Sequence, residues 1–137
     1  MPLTWILLRN LLACERGLVE GYSRALRKSG RSPRETELMT AAMEAHQRHA
    51  RILGERLARL GEPPPELADD LWITDPDDPR ALMYSEQASH DTWHDALLDF
   101  PPEFADGDAR HIVHEHHELM RAWEALLAVD AEPSVTV

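Results

Sequence analysis

Four stretches of the chain repeat apolar residues at the three-and-four spacing of an amphipathic helix, and each breaks its apolar stripe with a residue that ordinarily faces water. The first runs from about Leu3 to Lys28. Leu8, Leu11, Leu12, Leu18, Val19, Tyr22 and Leu26 form its stripe, and Glu15 sits at the centre of it. The second, Glu35 to Leu60, gathers Leu38, Ala42, Ala45, Leu53, Leu57 and Leu60 on one side, with His46 and His49 in the middle of that side. The third begins at Pro79 and ends before Phe100. Leu82, Met83, Trp93 and Leu97 mark its inner face, Glu86 is central to that face, and His90 lies one turn on. The fourth starts between Pro102 and Asp108 and runs to about Val129; Ile112, Val113, Met120, Trp123 and Leu127 define its buried side, with His116 inside the stripe.

The boundary signals agree with these limits. Ser32-Pro33-Arg34-Glu35 supplies an N-cap serine, a proline at the first helical position and a glutamate three residues after the cap. Gly61, followed by Pro63, closes the same helix. Asp78 caps the third helix, with Pro79 at its first position. The short turn Ser29-Gly30-Arg31 makes the first two helices antiparallel neighbours. Residues 62–79 instead break the helical period with Pro63, Pro64 and Pro65 and carry seven acidic side chains and no basic one. Fully extended, this segment spans roughly 60 Å. The second helix is roughly 40 Å long, so the segment can return the chain along the whole bundle. The pattern predicts an all-α, up-down-down-up four-helix bundle with one long crossover between the second and third helices. A single domain covers 1–130, and a flexible tail follows at 131–137. Gly17 and Gly21 fall on the outer face of the first helix, as surface positions or as a place where another chain comes close.

Charge narrows the function classes. The 137 residues carry a net charge of −11, which argues against a general binder of nucleic acids or anionic membranes. The imbalance is lopsided, +5 over residues 1–61 and −16 over 62–137, a polarity that suits head-to-tail contacts in a homo-oligomer. No apolar run approaches the ~20 residues needed to span a bilayer. Cys14 is the one cysteine, so no internal disulfide forms. The N-terminal apolar run has no basic residue ahead of it and is interrupted by Arg9-Asn10, so no signal peptide is expected and the reading is a soluble, cytoplasmic protein.

Glu15, His46, His49, Glu86, His90 and His116 thus share core faces, with at least one from every helix. A buried carboxylate or imidazole needs a partner, and two accounts stay open: a metal site, or a hydrogen-bonded polar layer that fixes helix register. His117, at the border of the fourth stripe, and His114, off its centre, are the alternatives to His116 as ligand. Nitrogen donors suit zinc, copper, nickel or iron. Tyr22, Trp93 and Trp123 read as core, with a donor to a ligand as the alternative for Tyr22, and Met83 and Met120 as packing. Cys14 lies away from any convincing base, so thiol nucleophile chemistry is not expected. An internal echo is visible: seven residues separate Glu15 from Tyr22 and Glu86 from Trp93, and a histidine-bearing helix follows each pair. A two-helix unit used twice around a pseudo-twofold axis has this form.

Glu15 with Tyr22 resembles the first-helix glutamate and tyrosine of rubrerythrin-type sequences. His46-Gln47-Arg48-His49-Ala50 resembles their second-helix glutamate-x-x-histidine-alanine, with histidine in place of the glutamate. From Arg9 to Leu127 the chain is also similar to a family of small bacterial ferritin-like four-helix proteins with no assigned function. Gly21-Tyr22, Leu53 through Leu60-Gly61, Glu86 ahead of Trp93-His94-Asp95-Ala96-Leu97, and Ile112-Val113 are the matching landmarks. The resemblance implies a ferritin-like bundle, oligomeric assembly and iron as the divalent metal. It also exposes a departure. His46 and Val113 stand where di-iron oxidases place bridging glutamates, leaving two carboxylates and up to four imidazoles. A mononuclear or dissimilar two-metal centre fits that set better than a conventional ferroxidase site. The expected function is a metal-binding protein, a di-iron or mixed-metal oxidoreductase acting on oxygen or peroxide; the alternative is a non-enzymatic metal store or a metal-free structural or interaction bundle.

Overall fold

The computed structural model describes residues 3–28, 30–61, 78–99 and 107–131. They form four helices, α1 (Leu3–Leu26), α2 (Pro33–Arg59), α3 (Pro79–Asp99) and α4 (Gly107–Ala131), with no strand among the described residues. The predicted crossover, up to residue 77, and the predicted tail beyond Ala131 lie outside them.

Local chemistry sets the helix ends. Ser32 Oγ accepts a hydrogen bond from the Glu35 amide at 3.2 Å, and Pro33, which has no amide hydrogen to strand, takes the first position of α2. At the other end the Leu60 amide turns back to the carbonyls of Leu57 and Arg56, and Gly61 at φ +77° takes the left-handed step that a side chain would resist. Gly30, at φ +87°, makes the same step between α1 and α2, where Arg31 Nε donates to the Ala25 carbonyl at 2.9 Å. Asp78 Oδ1 accepts from the Arg80 amide at 2.9 Å and so caps α3, as its position before Pro79 predicts.

α1 packs chiefly on α2, and α3 on α4; the two pairs meet through α1 with α3 and α2 with α4. The core is split. One apolar cluster is built from Leu8, Leu11, Leu12, Leu53, Leu57, Trp93, Ala96, Ala109 and Ile112. The other contains Leu18, Tyr22, Ala25, Met39, Ala42, Leu82, Trp123 and Leu126. On every helix the buried polar residues fall between these two sets: Glu15, His46 and His49, Glu86 and Ser89, and His116.

Some inner-face residues differ from expectation by one position. Met39 and Leu126 are the buried members where Leu38 and Leu127 were expected, and Val19, Met83, Val113 and Met120 are only partly covered. Leu60 is 45% exposed, because it lies past the end of α2, beyond the last seat its neighbours cover. Gly17 and Gly21 are buried instead of facing outward.

The division between caps and core gives an ordered expectation. Leu12→Ala should lower unfolding free energy by about 2–5 kcal/mol through the cavity it leaves, and Ser32→Ala by about 1 kcal/mol through the lost cap. Urea denaturation measures both, and a cap loss larger than the core loss would contradict this account.

Candidate metal centre

The polar layer is assembled from all four helices, and Glu15 is its hub. Glu15 Oε2 is 2.6 Å from His46 Nδ1 and 3.3 Å from His49 Nδ1. Its Oε1 accepts from the Trp93 indole at 2.9 Å and lies 2.5 Å from His116 Nε2. Glu86 is the second hub. Its Oε1 accepts from the Tyr22 hydroxyl at 2.6 Å and meets His46 Nε2 at 2.6 Å, while the Trp123 indole donates to Tyr22 Oη at 3.0 Å. The internal echo of the sequence has a structural counterpart here. Tyr22 on α1 donates to Glu86 on α3, and Trp93 on α3 donates to Glu15 on α1. The residue seven places after each glutamate serves the other glutamate.

These contacts give Tyr22, Trp93 and Trp123 work beyond packing. A buried tyrosine or tryptophan has to place its O–H or N–H. Tyr22 and Trp93, each on a face that also carries a glutamate, and Trp123, on the face of His116, were the sequence signal for this arrangement.

Every member of the layer is closed off from solvent: Glu15, His46, His49, Glu86 and His116 all have 0% relative exposure. Electrostatics are correspondingly strong. Burial alone would raise the Glu15 carboxyl, but His116 and His46, by charge and by hydrogen bond, hold it well below its ordinary value. Burial opposes a charged ring at His46, yet Glu86 and Glu15 on its two nitrogens raise it to about 10. Donating from both nitrogens to carboxylates requires both ring protons, so in this state His46 is an imidazolium clamped between the glutamates. Tyr22 is pushed well above the usual phenol range by burial and by Glu86, against which the Trp123 donor acts. Cys14 is raised to about 11, first by burial and then by the Glu15 charge. A thiol held protonated in this way is a poor nucleophile.

Glu15, His46, His49 and His116 offer ligand atoms that all lie within 4.8 Å of one another. Three further atoms of ligand type in the layer make no hydrogen bond: His49 Nε2, Glu86 Oε2 and His116 Nδ1; Ser89 Oγ is a fourth buried atom without one. Glu86 Oε2 and His116 Nδ1 are 3.6 Å apart. Two ligands of one tetrahedral ion at about 2.1 Å lie roughly 3.4 Å from each other. The donor set and these unpaired atoms fit a divalent transition metal.

Of the six residues singled out in the sequence, the structure brings together Glu15, His46, His49 and His116, with Glu86 against them. It does not bring in His90. That side chain is 20% exposed, pairs with Asp91 Oδ1 at 3.2 Å, stacks on His94 at a ring separation of 6.2 Å and lies tilted beside His117 at 5.5 Å. The seats that α3 buries are Leu82, Glu86, Ser89, Trp93 and Ala96, so the inward position after Glu86 is three residues on, at Ser89. One further residue turns His90 out by about 100°. On α4 it is His116 that enters the layer; His114 is exposed and pairs with Glu118, and His117 is partly buried beside His90. Val113 packs against the apolar cluster around Leu8 and Trp93.

Sequence reasoning missed Glu115. It sits on α4 beside the layer, with Oε1 at 3.4 Å from His49 Nε2 and Oε2 accepting from Arg48 at 3.0 Å. Burial disfavours its charged form, but the Arg48 hydrogen bond and His49 lower its pKa below the ordinary value. The only trace in the sequence is the i,i+4 spacing of His111 and Glu115.

No family model, curated protein or solved structure matches the chain. Among the described residues, no helix is long and apolar enough to cross a membrane. The case for function therefore rests on the buried group itself.

The layer makes the stability of the metal-free protein depend on pH in a defined direction. His46 is raised on folding, so its contribution is complete below about pH 6.5 and is lost as pH rises toward about 10. Glu15 is lowered, so its contribution is complete above about pH 4.5 and is lost as pH falls through the folded-state value. Melting temperature in the presence of a chelator should peak between about pH 4.5 and 6.5 and fall on both sides. A profile still rising from pH 7 to 9 would show that His46 is not clamped as described. Separately, Tyr22→Phe removes a donor to Glu86 and strands the Trp123 indole, and should cost about 1–3 kcal/mol in chemical denaturation. A neutral result would mean that the bridge is not formed.

Proposed function

We propose that the chain is a ferritin-like metalloprotein whose buried Glu/His layer holds a divalent transition metal and acts on oxygen or peroxide. The observation that carries this reading is the convergence of Glu15, His46, His49 and His116 within 4.8 Å, fully buried, beside three ligand atoms without hydrogen bonds. A layer that served packing alone has little use for such atoms, whose desolvation is not repaid by a hydrogen bond.

The ferritin-like, up-down-down-up order with a long second-to-third crossover is part of the proposal, and cluster membership supports it. Leu8, Leu57, Ala96 and Ala109 belong to one cluster, and Tyr22, Met39, Leu82 and Trp123 to the other. α2 thus ends among the first set and α3 begins among the second. That alternation is what the up-down-down-up order expects.

Within this reading Glu15, His46, His49 and His116 hold the ion, with Glu86 completing the set. Iron is the metal that the resemblance implies, and zinc or copper the metals that a histidine-rich set also suits. A bound redox metal would supply one-electron chemistry toward a small oxidant. The protein's own part is positional. Trp93 fixes one Glu15 oxygen, and Tyr22, itself held by Trp123, fixes one Glu86 oxygen. The apolar clusters on either side keep bulk water out. Ligands with no solvent exposure favour a reactant as small as oxygen or peroxide over a bulky organic substrate. Because His46 bridges the carboxylates as an imidazolium, cation binding displaces a proton. Assembly as a homo-oligomer accompanies the proposal, supported by the opposite net charges of the two parts of the chain.

One observation favours the metal-free alternative: His46 bridges Glu15 and Glu86 at 2.6 Å on both sides, which is already a satisfied ion triad. Metal analysis of protein purified without a histidine tag, joined to oxygen and peroxide turnover, separates the readings. Stoichiometric iron with turnover is the expected result. Zinc without turnover identifies a store, and no metal at all leaves a structural bundle. Glu15→Ala and Glu86→Ala should each abolish uptake; binding that survives both overturns this ligand set.

A further inference from the structure

His49 joins the buried layer to the outside of the bundle. Its Nδ1 faces Glu15 Oε2 at 3.3 Å, within the layer. Its Nε2 faces Glu115 Oε1 at 3.4 Å, on the α2–α4 seam, and makes no hydrogen bond despite being buried. Glu115 is the first group on this line with access to solvent. The same Oε1 lies 2.9 Å from His111 Nε2. Side-chain exposure falls along the series, from 67% at His111 to 20% at Glu115 to 1% at His49.

Three groups of metal-ligand type therefore run inward in single file, and the last opens on Glu15. No step between neighbours exceeds 3.4 Å, about the separation of two ligands on one ion. An ordinary surface ion pair between Arg48 and Glu115 explains part of this arrangement. It does not account for the buried imidazole behind it, which turns Nε2 to Glu115 Oε1 at 3.4 Å without the alignment of a hydrogen bond.

The geometry points to Glu115, with His111 at the rim, as the entry site through which a divalent cation passes from solvent to His49 and the buried centre. This rests on the metal-centre reading above. The Glu115 carboxylate draws in the hydrated cation, and His111 supplies the first nitrogen to replace water. Arg48, 3.0 Å from the other carboxylate oxygen, leaves Oε1 facing the path. Its positive charge also keeps the port from retaining the ion, as passage requires a site that binds weakly enough to release.

The test is stopped-flow uptake of Co²⁺ by the full chain, followed by the visible absorption of the bound ion. A His94→Ala/His117→Ala background removes the surface imidazoles next to His90. Glu115→Gln, which keeps the side chain's shape, should slow uptake about tenfold or more, the scale on which local charge focuses a cation. The final absorbance and stoichiometry should not change. His111→Ala should slow uptake less, with the same end point. Glu118→Gln removes the same charge one turn away, where the side chain is 64% exposed, and should bind at the parent rate. Equal rates for Glu115→Gln and its parent overturn the entry site and leave the metal centre standing. So does a matching slowdown in Glu118→Gln, which would mean general charge attraction. A lost end point in Glu115→Gln would make Glu115 a resident ligand instead of a port. Failure of the parent to take up any cobalt overturns the metal centre itself, and the entry site with it.

Discussion

One carboxylate ties the four helices together. Glu15 on α1 meets His46 and His49 from α2, Trp93 from α3 and His116 from α4, through two oxygen atoms with no exposure to water. An ionised carboxylate in such a place is tolerable only when its lone pairs are filled by donors of good geometry. The demand is directional, whereas the apolar clusters on either side accept many small shifts. Sliding any helix by one turn, about 5.4 Å, would keep most apolar residues in apolar surroundings but would strip Glu15 of that helix's donor. The buried acid is thus weak evidence for stability and stronger evidence for a single register.

The split core follows from the same constraint. Placing the polar layer between two apolar clusters puts low-polarizability surroundings on both sides of it. There the Glu15–His46–Glu86 contacts gain strength that water would take away. The arrangement also silences Cys14, one residue from Glu15, whose thiol is held protonated by burial and by that neighbouring charge. The chemistry available to the layer is consequently that of imidazoles and carboxylates.

Much of this was legible from helical periodicity alone. Glu15, His46, His49, Glu86 and His116 interrupt apolar stripes, and a polar residue at such a seat needs a partner wherever the helices come together. Periodicity supplies an angle, however, and small angular errors accumulate. Buried seats alternate between steps of three and four, as in Leu8, Leu11, Glu15, Leu18, Tyr22 and Ala25 on α1. Choosing four where α3 uses three exchanges Ser89 for His90, and the same slip exchanges Leu126 for Leu127 on α4. Glu115 was illegible for a different reason. Its partners Arg48 and His49 lie on another helix, more than sixty residues earlier, and a half-exposed acid on a charged face breaks no pattern.

The register role and a metal role share Glu15 and His46, whose ligand atoms are all hydrogen-bonded, and differ at three other atoms. The hydrogen-bonded atoms, Glu15 Oε1 with Trp93 and His116, Glu86 Oε1 with Tyr22 and His46, and Glu15 Oε2 with His46, account for the fixed alignment of the helices. His49 Nε2, Glu86 Oε2 and His116 Nδ1 make no hydrogen bond; the first faces Glu115 Oε1 at 3.4 Å and the other two face each other at 3.6 Å, a weaker return for their desolvation. A cation could use these atoms, which the helix register does not. The imidazolium at His46 supplies the positive charge between the two carboxylates it bridges.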